Sequence, residues 1–260
     1  MSDKTTSSQV DKSAERVRTM FNEIAPKYDF LNNALSFGLA SRWRRSFVSR
    51  ALALTLEGRV GAERVEALDV ATGTGDTIVA LHRGWKRATK RGETTDELYS
   101  VGVDFSPEML KLAERKLSKK GLSSVELLEA DGCNLPFGDE RFDLVTISFG
   151  LRNMADPERG VAEMARVCRP GGVLAILEFS ATKFPVFSQL FRFYFHNALP
   201  LVGQAVAKNT TDAYRYLPRS VDAFESNETV LEYMRRAGID SPERRSMNFD
   251  VLGLFIGRKA

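Results

Sequence analysis

The chain predicts an α/β domain built on a doubly wound, mostly parallel sheet with helices on both faces. Three observations carry that expectation. From residue 65 onward, short apolar runs alternate with amphipathic helical stretches, a glycine turn follows the first run, and acidic or polar residues stand just past successive runs. Taken in order, residues 13–24 read as a helix with Val17, Met20, Phe21 and Ile24 on one stripe, stopped by Pro26 and lying over the site. Residues 41–54 form a second, basic amphipathic helix, with Arg42, Arg44, Arg45 and Arg50 among Trp43, Phe47, Val48 and Leu52. Strands are expected at 65–71, 99–104, 124–129, 142–148 and 172–179, with helices from Asp76 and at 107–119 and 157–168. A last strand is expected at 248–256. Ligands of such sheets sit outside the carboxyl ends of the strands, so the residues there are the ones to inspect.

Composition narrows the function classes. The 260 residues fit one domain, expected over 13–260 with a helical lid at 13–60 and an inserted cap at 183–225, after a disordered tail at 1–12. Lys and Arg outnumber Asp and Glu by three (37 minus 34), which demands no acidic polymer as partner, and nucleic acid is not expected. The two cysteines, Cys133 and Cys168, form no pair, and His82 and His196 stand alone. Neither a disulfide framework nor a metal site is predicted. No stretch reaches the apolar length of a membrane span, so the expected location is the cytoplasm, with room for peripheral contact with the inner face of the membrane and for a homodimer.

The first strand runs into Asp69-Val70-Ala71-Thr72-Gly73-Thr74-Gly75-Asp76, a glycine turn bracketed by carboxylates. Gly73 and Gly75 let a ligand approach the main chain, and the following helix points unpaired N–H groups at it. A dinucleotide fingerprint needs a third glycine where Ile78 stands, and Asp69 would repel a diphosphate. Asp69 instead suits a cationic amino group such as that of S-adenosylmethionine. Asp104 ends the second strand, where it can accept both hydroxyls of a ribose, and Asp131-Gly132 after the third strand can meet an adenine edge. Ser148 ends the fourth, followed by Arg152 and Asn153. Any one of these alone reads better as a helix cap or a solvated charge, but their joint placement at successive strand ends favours a site.

The glycine loop, Asp104 and the Arg169-Pro170-Gly171-Gly172 turn resemble the class I S-adenosylmethionine-dependent methyltransferases. More narrowly, residues 28–36 (Tyr28-Asp29-Phe30-Leu31 onward), Phe149-Gly150-Leu151-Arg152-Asn153, residues 166–180 and Tyr214-Arg215-Tyr216-Leu217 are similar to the menaquinone and ubiquinone C-methyltransferase family. The resemblance implies a Rossmann-like sheet of seven strands, S-adenosylmethionine as cofactor, and a lipid-soluble polyprenyl quinol as substrate. The first expectation is demethylmenaquinol, and the alternative is 2-methoxy-6-polyprenyl-benzoquinol. Carried over residue by residue, it implies cofactor contacts at Thr74, Asp104, Asp131, Gly132 and Ser148, beside the Asp69, Gly73 and Gly75 of the loop. Arg152 and Asn153 would face the quinol, with Tyr28, Asp29 and Tyr214 orienting it or moving its proton.

The chemistry fits those residue types. A hydroquinol becomes a carbon nucleophile when a ring hydroxyl ionises, so a base or held water and a cation beside the phenolate are wanted. Arg152 can supply the cation but is no direct base. The aromatic segment from Phe184 to Leu199 reads equally as a cap packed on the sheet or as a wall for the isoprenoid tail. The 41–54 helix could rest on anionic lipid heads with Trp43 and Phe47 inserted, though a solvated amphipathic helix is the plainer reading. A nicotinamide oxidoreductase and a non-catalytic partner in quinone synthesis are the rivals from other classes.

Overall fold

The computed structural model describes residues 14–25, 29, 36, 38–57, 64–180, 216, 220, 221, 223–248 and 250–260. Tyr28, Tyr214, His196, the tail at 1–12 and the aromatic segment from Phe184 to Leu199 lie outside the described residues. The elements in chain order are α1 (Ala14–Ile24), α2 (Ala40–Leu56), β1 (Arg64–Val70), α3 (Asp76–Lys90), β2 (Glu97–Asp104), α4 (Pro107–Lys119), β3 (Glu126–Glu129), β4 (Phe142–Ser148), α5 (Pro157–Val167), β5 (Cys168–Phe179), α6 (Asn227–Arg236), β6 (Ile239–Met247) and β7 (Leu252–Lys259).

Among the described residues the strands form a seven-stranded sheet in the order β3-β2-β1-β4-β5-β7-β6. The first five are parallel, and β7 pairs antiparallel with both β5 and β6. The chain order reverses between β1 and β4, the crevice where ligands of doubly wound sheets bind. Burial follows the period-2 alternation of a strand covered on both faces. Leu68, Val70, Val145, Ile147, Leu174 and Ile176 pack into one cluster under α5 and α6. Val65, Ala67, Leu144, Val173, Ala175 and Leu177 pack into another under α2 and α3.

Two helix starts are written locally. In α4, Ser106 accepts a hydrogen bond from the Met109 N–H with Pro107 in the first turn, and in α5, Asp156 does the same for Arg159 ahead of Pro157. Two expected boundaries are corrected. The Arg169-Pro170-Gly171-Gly172 segment is no separate turn: α5 stops at Val167, and β5 runs from Cys168 through it with a register shift against β4 between Phe142 and Leu144. The expected last strand at 248–256 begins instead at Leu252, because Asn248 (φ 50°) and Asp250 (φ 69°) turn left-handed, and the hairpin partner β6 precedes it. The charged stretch after Arg83 continues α3 to Lys90 before the chain turns into β2.

Candidate functional site at the carboxyl edge of the sheet

At the crevice between β1 and β4 a cavity is lined by Val70, Ala71, Gly73, Asp104, Phe105, Met109, Ala130, Asp131, Gly132, Ser148, Phe149, Gly150, Asn153, Met154 and, from α1, Phe21. Strand ends therefore supply its polar groups. The turn after β1 brings Gly73 to the cavity wall, and Gly75, at φ 81°, caps α3 in a conformation that disfavours any side chain. Gly132 and Gly150 are packed tightly against neighbouring side chains. A Cβ at the former would come within 2.4 Å of Met154 Cε, and at the latter within 2.6 Å of Ala71 Cβ.

Asp104 is 5% exposed. Its two oxygens accept from the Gly73 N–H (2.8 Å) and the Ser106 N–H (2.9 Å). Burial pushes its carboxyl up to about 6, against the pull of the backbone donors of Ser106, Gly73 and Phe105. Asp131 lines the cavity with Gly132 and accepts from the Cys133 N–H at 2.9 Å. Ser148 lines it too, and its hydroxyl is 2.7 Å from that of Thr77 in α3. Helix α1 closes the cavity from outside. Phe21 meets Phe105 edge-on at 6.2 Å, Asn22 Oδ1 accepts from the Ser106 hydroxyl at 2.7 Å, and Arg18 pairs with Glu129 at 2.7 Å.

Other sequence candidates lie elsewhere. Asp69 does not line the cavity. It is buried beneath the loop, where its carboxylate accepts the hydroxyls of Thr72 and Thr146 at 2.7 Å each. Burial pushes it up to about 7. Thr74 and Gly75 are likewise off the cavity wall. The Thr74 hydroxyl donates to Asp29 Oδ1 and accepts from Lys116, which also pairs with Asp29 and Asp76 at 2.7 Å each. Asp29 is exposed and serves that ion-pair cluster. Arg152 is buried behind the wall. Its Nη1 donates to Glu178 Oε1 at 2.7 Å and to the Phe149 carbonyl at 2.8 Å, and its guanidinium lies 5.2 Å from the centre of the Phe179 ring. Asn153 does reach the cavity, with its Nδ2 donating to the same carbonyl at 3.2 Å.

Sequence reasoning missed several participants. Glu178 is fully buried at the end of β5, and Arg152 needs it as counter-charge. Ala71 (φ 50°) and Phe149 (φ 59°) are left-handed without being glycine, and both line the cavity, a strain of about 1–3 kcal/mol each that packing must hold. Phe149 is wedged between Trp43 (6.4 Å) and Phe179 (5.2 Å).

The profile of the ubiE/COQ5 methyltransferase family matches residues 9–259. The chain belongs to that family. It is 44% identical over 238 residues to the demethylmenaquinone methyltransferase of Thermus thermophilus, covering 92% of this chain and 99% of that one. It is 38% identical over 257 residues to a ubiquinone/menaquinone biosynthesis C-methyltransferase of Geobacter sulfurreducens, covering 98% and 93%. In fold it matches a solved S-adenosylmethionine-dependent methyltransferase of Thermotoga maritima (TM-score 0.58, 18% identity, 94% and 100% covered).

This family member is a methyltransferase whose methyl donor is S-adenosylmethionine. The cavity fits that donor. A buried carboxylate whose lone pairs face a glycine loop suits two ribose hydroxyls, and Met109, Phe105, Ala130 and Met154 give the cavity apolar walls. The nicotinamide reading falls with the family assignment.

Proposed function

We propose that the chain methylates a ring carbon of a reduced polyprenyl quinone, with demethylmenaquinol as the first substrate. The observation that carries this is the relation along nearly the full length to a protein named for demethylmenaquinone. The relatives named for both quinones make the methoxy-benzoquinol the second reading.

Asp104, Asp131, Gly132, Gly73 and Ser148 hold the cofactor, with Phe21 of α1 as its outer wall. Bound there, S-adenosylmethionine would supply an electrophilic methyl group to the ring carbon, with sulfur keeping the bonding pair and the ring carbon's proton leaving to water. The ring must first lose a hydroxyl proton, passed to a held water, and the charge on its oxygen needs a cation nearby. Arg152 serves there, held by Glu178 and the Phe149 carbonyl, and Asn153 positions the ring from the cavity wall. Tyr28 and Tyr214 remain assigned to the quinol, and Asp29 acts indirectly, through Lys116 and Thr74. Keeping water from the pocket and aligning carbon, methyl and sulfur supply much of the remaining rate.

Peripheral contact with an anionic membrane is part of the same reading, but without aromatic insertion. Phe47 is wholly buried and Trp43 packs on Phe149. What faces outward are Arg42 and Arg45 of α2 and, across a cleft also lined by Arg44, the α3 residues Arg83 and Arg87. No helix of the described residues is long and apolar enough to cross a membrane. The test of the function is transfer of a labelled methyl group to demethylmenaquinol and, in parallel, to the methoxy-polyprenyl-benzoquinol, both chemically reduced. Label on the naphthoquinol supports the first reading and label on the benzoquinol alone the second. Label on neither, with S-adenosylhomocysteine still bound, overturns both.

A further inference from the structure

Buried polar side-chain atoms in folded proteins almost always find a partner, and those that do not call for an explanation. Among the described residues eight lack one. Five stand on residues dispersed through the fold, namely Arg50, His82, Ser100, Arg169 and Arg244. The other three belong together: Arg152 Nε, Asn153 Oδ1 and the hydroxyl of Tyr216. Arg152 and Asn153 follow each other in the short helix after β4, and the Tyr216 hydroxyl lies within electrostatic reach of Arg152 and Glu178.

Their chemical types are complementary. Arg152 has spent Nη1 on Glu178 and on the Phe149 carbonyl, which leaves Nε–H as an unused charged donor. Asn153 has its amide orientation set by Nδ2 donating to that carbonyl, so Oδ1 is an unused acceptor on a residue of the cavity wall. Tyr216 can donate or accept. A charged donor, an acceptor and a hydroxyl match a ring carrying hydroxyls that ionise, because a ring O–H can hydrogen-bond to the amide and, once a held water has taken a ring proton, the oxyanion can receive from the other two.

Resting on the quinol reading above, we propose that Tyr216 contacts the substrate, its hydroxyl donating to the ring oxygen that ionises, alongside Arg152 Nε–H. Two details support the direction of that bond. Burial raises the Tyr216 hydroxyl above its ordinary pKa, with Glu178 adding to the shift and Arg152 and Arg16 opposing it, and a tyrosine at or above its ordinary value is a protonated donor at neutral pH. It also makes no bond to Glu178 or Arg152, so it is not consumed in supporting the ion pair.

Tyr216→Phe removes the oxygen and keeps the ring. With reduced demethylmenaquinol, kcat/KM is expected to fall about 10- to 100-fold, the range for losing one hydrogen bond to a charged group. The alkaline rise of kcat/KM is expected to move to higher pH, since the oxyanion has lost a donor. S-adenosylhomocysteine affinity should stay within twofold and the unfolding midpoint should hold or rise, because a buried unpaired hydroxyl has been taken away. A purely structural tyrosine would give the opposite pattern: a lower midpoint with an unmoved pH profile. As a second reading, wild type should bind a 1,4-dihydroxynaphthalene more tightly than its dimethoxy analogue, and Tyr216→Phe should narrow that preference. An unchanged rate and pH profile in a variant whose wild type methylates the quinol overturns the inference while sparing the function. A wild type that methylates neither quinol overturns the function and the inference with it.

Discussion

Asp104 illustrates how one residue couples burial to ligand affinity. In the proposed role its ionised oxygens accept ribose hydroxyls, yet burial holds its carboxyl at about 6, so a proton would compete with the cofactor below that pH. Affinity for S-adenosylhomocysteine should therefore drop as pH falls from 8 through 6 to 5. Asp104→Asn should bind about 10- to 100-fold more weakly at pH 8, the order expected for charged hydrogen bonds, with a flatter pH dependence. Calorimetric titration checks both, and a wild-type affinity equal at pH 5 and 8 would sink the assignment. Linkage gives a second consequence. Asp104 (about 6) and Asp69 (about 7) both sit above the 3.8 of an ordinary aspartate, so the folded chain holds more protons than the unfolded one between about pH 4 and 7. The stability they contribute is greatest at the acid end of that window and is lost as pH rises through it. That Asp104 would stand at the cavity was legible only from its joint placement with Asp131 and Ser148 at successive strand ends. Asp69 stands in an equally suggestive place, but beside the local Thr72 its second hydroxyl partner, Thr146, comes within reach only once β1 and β4 are side by side.

At the scale of elements, the parallel strands and the helices started by Ser106-Pro107 and Asp156-Pro157 were legible because local signals set them. The bulged start of β5, the left-handed Ala71 and Phe149, and the pairing of β6 with β7 depend on neighbours distant in sequence. The role of α2 likewise follows from its surroundings. Packing consumes Phe47 and much of Trp43, which leaves electrostatics as what this helix would contribute to the proposed membrane contact. Arg42 and Arg45, with Arg83 and Arg87 of α3, should bring the chain down with vesicles containing anionic lipid at low salt, and about 0.5 M salt should release it. The quadruple change of these arginines to Gln should abolish sedimentation while cofactor affinity holds. Equal sedimentation with neutral vesicles would point to apolar contact instead.

Across the whole molecule, two apolar layers hold a sheet whose switch point is set between β1 and β4, and the site collects what four strand ends and one covering helix present there. The buried Arg152–Glu178 pair couples the end of β5 to the segment after β4, and removing either partner would leave an uncompensated charge at a cost of about 3–5 kcal/mol. That arrangement has one chemical purpose in this account, to favour the charge of an ionised ring oxygen. An oxidised quinone has carbonyls in place of those hydroxyls and no proton to lose. The most direct measurement is therefore transfer of a carbon-13 methyl group from S-adenosylmethionine to demethylmenaquinone offered in reduced and in oxidised form, with the product located by NMR. The account predicts a carbon-bound methyl on the ring from the reduced form alone. Methyl found on oxygen, or equal transfer to the oxidised ring, would contradict it.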